Sequence, residues 1–148
     1  MEKKVNLLRL LIPKQSVATI CDTHTLRQGL EKMRAHGYTA VPVLTAEGDY
    51  VGCVSEGDFL WAMVDSGAVS IKAQEKRLIR DIMRPDWNPA INVGATVQDI
   101  LVKAAGQNFV PVVDDRNKFI GIITRRDLIL LYMDRYLRMQ QAMEEEEQ

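Results

Sequence analysis

Two short stretches set a hydroxyl three residues ahead of a carboxylate: Ser55-Glu56-Gly57-Asp58 and Thr124-Arg125-Arg126-Asp127. An ionised carboxylate only accepts hydrogen bonds and can take two hydroxyl donors at once, while a neighbouring hydroxyl can donate or accept. Such a pair could orient the hydroxyl groups of a ligand. The same spacing also suits a capping box, with Ser55 or Thr124 as the N-cap and the acid at the third helical position. On local sequence alone, capping is the favoured reading. The two arginines shift the balance in the second stretch. A helix amino end carries partial positive charge, so a base in its first turn forfeits roughly 0.3–1 kcal/mol of dipole complementarity. Glu56 obeys that rule, whereas Arg125 and Arg126 break it unless an anion joins them. Helix amides together with a guanidinium fork suit a phosphate.

Catalysis finds no comparable support. The chain has no nucleophile elbow, no Walker loop and no cluster of metal-ligating side chains, so it is read as non-catalytic and without a metal. Cys21 and Cys53 fall in no metal-binding spacing. His24 and His36 flank one predicted helix, and His36 sits where a histidine commonly meets exposed carbonyls. Lys14 and Lys72 could approach a phosphate, but nothing in the sequence places them there. With 19 basic against 20 acidic residues the net charge is −1, which supplies no field to recruit nucleic acid. The 47% apolar and 26% charged residues describe ordinary globular chemistry rather than disorder. No run is apolar for long enough to cross a bilayer. The opening MEKKVNLLRLLIP is split by Arg9 and closed by Pro13, so it reads as a short amphipathic helix rather than a secretory signal, and the cytoplasm is the expected location.

The elements that carry the two stretches are written twice. Residues 37–60, GYTAVPVLTAEGDYVGCVSEGDFL, lie without a gap over 106–129, GQNFVPVVDDRNKFIGIITRRDLI. Gly37, Val41, Pro42, Val43, Gly52 and Asp58 recur as Gly106, Val110, Pro111, Val112, Gly121 and Asp127. Upstream, each copy has a short extended segment, about 17–20 and 90–93. An amphipathic helix follows from near Thr25 or Thr96 and stops at Gly37 or Gly106. Two apolar runs then make a hairpin, AVPVL with YVGCV and FVPVV with FIGII, with each proline expected near where pairing begins. A second helix closes each copy. The unit reads β-α-β-β-α, an α/β (α+β) pattern, and two units of this size are expected to share one core. The predicted organisation is a first repeat over 1–66, a polar linker over 67–78, a second repeat over 79–143 and a solvated acidic tail over 144–148.

The paired units, the GY-T-A-V-P-V strand, the two G-x-x-[ST]-x-x-D signatures and the DIMRP opening of the second copy resemble a tandem of cystathionine β-synthase (CBS) domains, a Bateman module. That resemblance implies two repeats about a pseudo-two-fold axis, regulation rather than catalysis, and adenosine-containing ligands in clefts between the repeats. It implies a main cleft from Val17, Ala18, Tyr38, Thr39, Ala40 and Pro42 with Ile122, Thr124 and Asp127, and the charge argument adds Arg125 and Arg126. A second cleft would use Pro89, Ala90, Gln107, Asn108 and Phe109 with Cys53, Ser55 and Asp58. There Glu56 would repel phosphate and Phe109 replaces Ala40, so it is expected to be empty or weak. An adenine nucleotide (AMP, ADP, ATP or cyclic di-AMP) is the expected regulatory ligand, and S-adenosylmethionine is disfavoured because its sulfonium would face arginines. A homodimer through FLWAMV and LILLYM, and a protein target for the signal, are further expectations of the resemblance. The rival reading is a ligand-free interaction module whose signatures only cap helices.

Overall fold

A computed structural model describes residues 6–148. Alternation of apolar runs with turn formers gives β1 (Ile12–Pro13), β2 (Ile20–Cys21), α1 (Leu26–His36), β3 (Ala40–Leu44), β4 (Tyr50–Ser55) and α2 (Glu56–Ser66). The second copy repeats the pattern as β5 (Ile91–Asn92), α3 (Val97–Gly106), β6 (Phe109–Val113), β7 (Phe119–Thr124) and α4 (Arg125–Glu147). Thr25 and Thr96, near which the sequence starts these helices, cap α1 and α3 with complete capping boxes. Gly37 ends α1 in the left-handed region at φ 67°, where a side chain would be strained. Gly106 does not do the same for α3. It is the last helical residue, and extended Gln107 follows it.

Each copy builds its own sheet. In the first, β2 runs parallel to β3, which pairs antiparallel with β4. In the second, β5, β6 and β7 repeat that order, and β1 is added at the far edge, with Ile12 opposite Ile122 and Pro13 opposite Gly121. Gly121 is required at that edge, because a Cβ there would collide with the Ile12 carbonyl oxygen. The prolines lie in the middle of their strands rather than at the start: Pro42 faces Cys53 and Pro111 faces Ile122. The parallel partner joins β3 only from Val43 to Leu44 and β6 only from Val112 to Val113, so the missing amide falls beside a position with one neighbour.

Packing crosses between the copies. Leu7, from a 3-10 turn over Leu7–Leu10, is buried with Ile91, Ile100, Val110, Val112, Ile123 and Leu128 of the second copy. Reciprocally Ile79, at the start of the second copy, is fully buried with Leu26, Met33, Val41, Val43, Val54 and Phe59 of the first. Each opening segment therefore completes the other copy's core. A third cluster joins Tyr50 and Cys53 to Phe109, Val113 and Phe119. At the hairpin ends the Tyr50 amide donates to Asn117 O (3.0 Å) and the Phe119 amide to Gly48 O (3.1 Å). Lys118 Nζ pairs with Asp49 Oδ1 at 2.9 Å.

Two segments depart from the sequence reading. The expected N-terminal helix is a 3-10 turn as far as it is described, and Met1–Val5 of that expectation lie outside the described residues. The stretch expected to be a linker is packed: Gln74 is buried, Glu75 pairs with Arg27, and the Leu26 amide donates to Arg77 O at 3.0 Å. The acidic tail is exposed, and α4 continues into it through Glu147.

Candidate functional site

The strand ends and helix starts of the two copies enclose a cavity of about 270 Å³. Val17 and Ala18 border it from the turn before β2, and Tyr38, Thr39, Ala40 and Pro42 from the entry to β3. Ile122 and Thr124, at the end of β7, close the opposite side. All eight are residues that the resemblance implies for the main cleft. Four more join them: Ile12 and Ser16 from the edge strand and the turn after it, and Asn108 and Phe109 from the start of β6. Asn108 and Phe109, expected in the second cleft, also line this cavity. Ile12 and Ser16 carry no signature in the sequence, and only the pairing of β1 with β7 brings them there.

At the Thr124 rim the cap is half made. The Asp127 amide donates to Thr124 Oγ1 at 3.2 Å, but the reciprocal bond from the Thr124 amide to the Asp127 carboxylate is missing. Among the described residues the Asp127 carboxylate accepts no hydrogen bond and forms no ion pair. It is only partly buried, so water can reach it. Asp58, its counterpart, is fully engaged. One oxygen accepts from the Ser55 amide (2.8 Å) and hydroxyl (3.0 Å), and the other pairs with Arg84 Nε at 2.8 Å. The same motif thus ends in a satisfied cap in one copy and a free acceptor in the other.

The two arginines separate. Arg125 Nε donates to Ala104 O at 2.7 Å, and its two terminal nitrogens reach Asn108 Oδ1 (3.2 Å) and Ala105 O (3.4 Å). Its counter-charge is the carboxyl end of α3, where unpaired carbonyls gather partial negative charge and no left-handed glycine cap is present. Of the two arginines expected near a phosphate, this one is therefore engaged within the protein. Arg126 is exposed and makes no ion pair among the described residues. Tyr38, 39% exposed at the cavity edge, stacks on His36 with ring centroids 5.5 Å apart.

The remaining second-cleft residues have internal roles. Burial pushes the Cys53 thiol up to about 11, and the Tyr50 hydroxyl lies 3.2 Å from its sulfur. Ser55 caps α2, Ala90 packs in the cluster between the copies, and Gln107 Nε2 donates to Phe109 O at 3.2 Å. Among the described residues no group of three or more potential metal ligands occurs.

The repeated fold with a cleft between its copies coincides with the comparisons. The CBS domain model matches residues 11–65 and again 79–134, and the chain belongs to the CBS-domain family as a tandem pair. It is 31% identical to CbpB crystallised in complex with c-di-AMP, with a TM-score of 0.79 over 93% of this chain and 90% of that one. CbpB of Listeria monocytogenes in complex with c-di-AMP is 27% identical, with a TM-score of 0.75 over 91% of this chain and 99% of that one. An uncharacterized protein of Methanopyrus kandleri is 30% identical over 125 residues, 80% of this chain but 59% of that protein. This chain therefore spans less than two thirds of that relative's length. No helix among the described residues is long and apolar enough to cross a membrane.

Proposed function

We propose that this chain is a non-catalytic regulatory module that binds an adenine nucleotide in the cleft between its repeats and passes occupancy to a partner protein. The observation that carries the reading is the unpartnered Asp127 carboxylate, three residues past Thr124, which itself lines a cavity walled largely by apolar side chains; Asp127, Arg125 and Arg126 lie outside that lining. The riboses of AMP, ADP and ATP offer two adjacent hydroxyl donors and those of cyclic di-AMP a free 2′-hydroxyl, and an ionised carboxylate accepts from either. Val17, Ala18, Pro42 and Ile122 supply apolar surface for the faces of an adenine. Small-molecule pockets span about 300–1,000 Å³. A cavity of about 270 Å³ suits the nucleoside part and leaves phosphate outside it. Arg126 and the amino end of α4 are the cationic groups next to Thr124.

Cyclic di-AMP is the foremost ligand in this reading, because the similar CbpB chain of nearly equal extent was crystallised with it. AMP, ADP and ATP present the same nucleoside and compete for the site. The readout surface is apolar: Leu60, Trp61 and Val64 on α2 and Ile129, Leu130 and Met133 on α4 are exposed, which fits a homodimer and a further protein contact. Occupancy would act by favouring one arrangement of these faces over another. Calorimetric titration of nucleotide-stripped protein with cyclic di-AMP, AMP, ADP and ATP tests the proposal, with saturable binding of cyclic di-AMP expected. Absence of binding across the whole panel defeats it, and chromatographic conversion of a bound nucleotide defeats the non-catalytic part.

A further inference from the structure

The second cleft is not simply a poorer copy of the first. Arg84 reaches over from the segment before β5 and sets its Nε 2.8 Å from Asp58 Oδ1, with a terminal nitrogen 3.4 Å from Ser55 Oγ. The other Asp58 oxygen is taken by Ser55, and the Asp58 side chain is only 6% exposed. The hydroxyl and carboxylate that a ribose would need are thus both in contact with a guanidinium of the same chain. That guanidinium lies 3.9 Å above the centre of the Trp87 ring, and Trp87 packs into the cluster between the copies. Trp87 stands four residues before Ile91, where β5 begins; Ser16 stands four residues before Ile20, where β2 begins. An indole therefore occupies the place that in the open cleft is taken by a serine at the cavity wall. The next residue anchors the segment, since the Tyr50 hydroxyl donates to Asn88 O.

The geometry points to Arg84 and Trp87 as an internal occupant of the second cleft, which limits each chain to one nucleotide. A neutral diol cannot displace a charged fork from a carboxylate that has no water to fall back on. The inference rests on nucleotide binding in the main cleft, and the test keeps the two apart. Wild type, Arg84→Ala/Trp87→Ser and the same pair with Asp58→Asn are titrated calorimetrically with AMP, after circular dichroism shows each to be folded. One event per chain is expected for wild type. The doubly substituted protein is expected to take a second AMP at least tenfold more weakly, and Asp58→Asn is expected to remove that second event while leaving the first. A folded, doubly substituted protein that still binds one AMP overturns the internal-occupant inference. A wild type that binds neither AMP nor cyclic di-AMP, ADP or ATP defeats the proposed function instead, and a wild type that binds two AMP overturns the occupant. If the double substitution does not fold, Arg84→Gln is titrated in its place. It keeps most of the stem and removes the charge, so a second event supports the inference and one event overturns it.

Discussion

The two aspartates of the repeated motif should respond in opposite ways to the same substitution. Asp127→Asn removes the charge from a carboxylate that holds nothing inside the protein, while the backbone bond from residue 127 to Thr124 Oγ1 stays. The stability cost is then confined to lost dipole complementarity, about 0.3–1 kcal/mol. Its cost to nucleotide binding is larger. Hydrogen bonds to a charged group contribute about 1.5–3 kcal/mol, so affinity should fall about 10- to 150-fold. Asp58→Asn inverts the pattern. It disrupts bonds to the Ser55 amide and hydroxyl and the pairing with half-exposed Arg84. The solvent-exposed side of that pair keeps its share small, and a total of about 2 kcal/mol is expected. For a chain of this size that lowers Tm by about 4–8 °C. Main-cleft affinity should stay within about threefold, well under the 1.4 kcal/mol of a tenfold change. Thermal unfolding and calorimetry on the two variants read both axes. If Asp127→Asn binds as wild type does, or if it destabilises as much as Asp58→Asn, the free carboxylate is not a ligand group and the argument fails.

The arginines should part in the same assays. Arg125→Ala removes three bonds to the end of α3 and its neighbour and should cost about 1–2 kcal/mol of stability, and Arg125→Lys should recover only part because an ammonium cannot span the carbonyls. Arg126→Ala should leave stability within about 0.5 kcal/mol and weaken binding of a phosphorylated nucleotide about tenfold, with adenosine unaffected. The Cys53 thiol ionises near 9.0 when unfolded and near 11 when folded, so between those values the native state holds more protons and stability falls as pH rises. Below pH 9 that contribution is fully present. Iodoacetamide at pH 8 should therefore label the partly exposed Cys21 and spare Cys53, as mass spectrometry of the native protein would read.

The repeat and its helix starts were legible because they depend on neighbours in sequence. Thr25 and Thr96 cap helices through side chains three residues away, and Gly37 needs only its own φ. The family pattern names for the main cleft eight of the twelve residues that line the cavity. What could not be read was every feature set by a distant partner. Two residues of β1 joining the far sheet bring Ile12 and Ser16 to the cavity. Leu7 and Ile79 are apolar residues in short segments without helical period, and nothing local says that each completes the other copy's core. The mid-strand prolines were misplaced for the same reason, since the short parallel neighbour that leaves their side vacant lies some twenty residues upstream.

Arg125 carries the general point. Two bases at the head of a helix do conflict with its dipole, and the conflict does require compensating negative charge. For Arg125 that charge is the carboxyl end of α3, a group that has no symbol in a sequence. Asp58 is the mirror case: its motif is as complete as that of Asp127, and an arginine in another segment decides that its carboxylate serves the protein. A duplicated motif thus states which atoms are offered, and the fold settles what takes them. In this chain it leaves one carboxylate without a taker among the described residues, three residues past Thr124 at the wall of a cavity of nucleoside size, and that asymmetry between matching motifs is stronger support for a single ligand site than either motif alone.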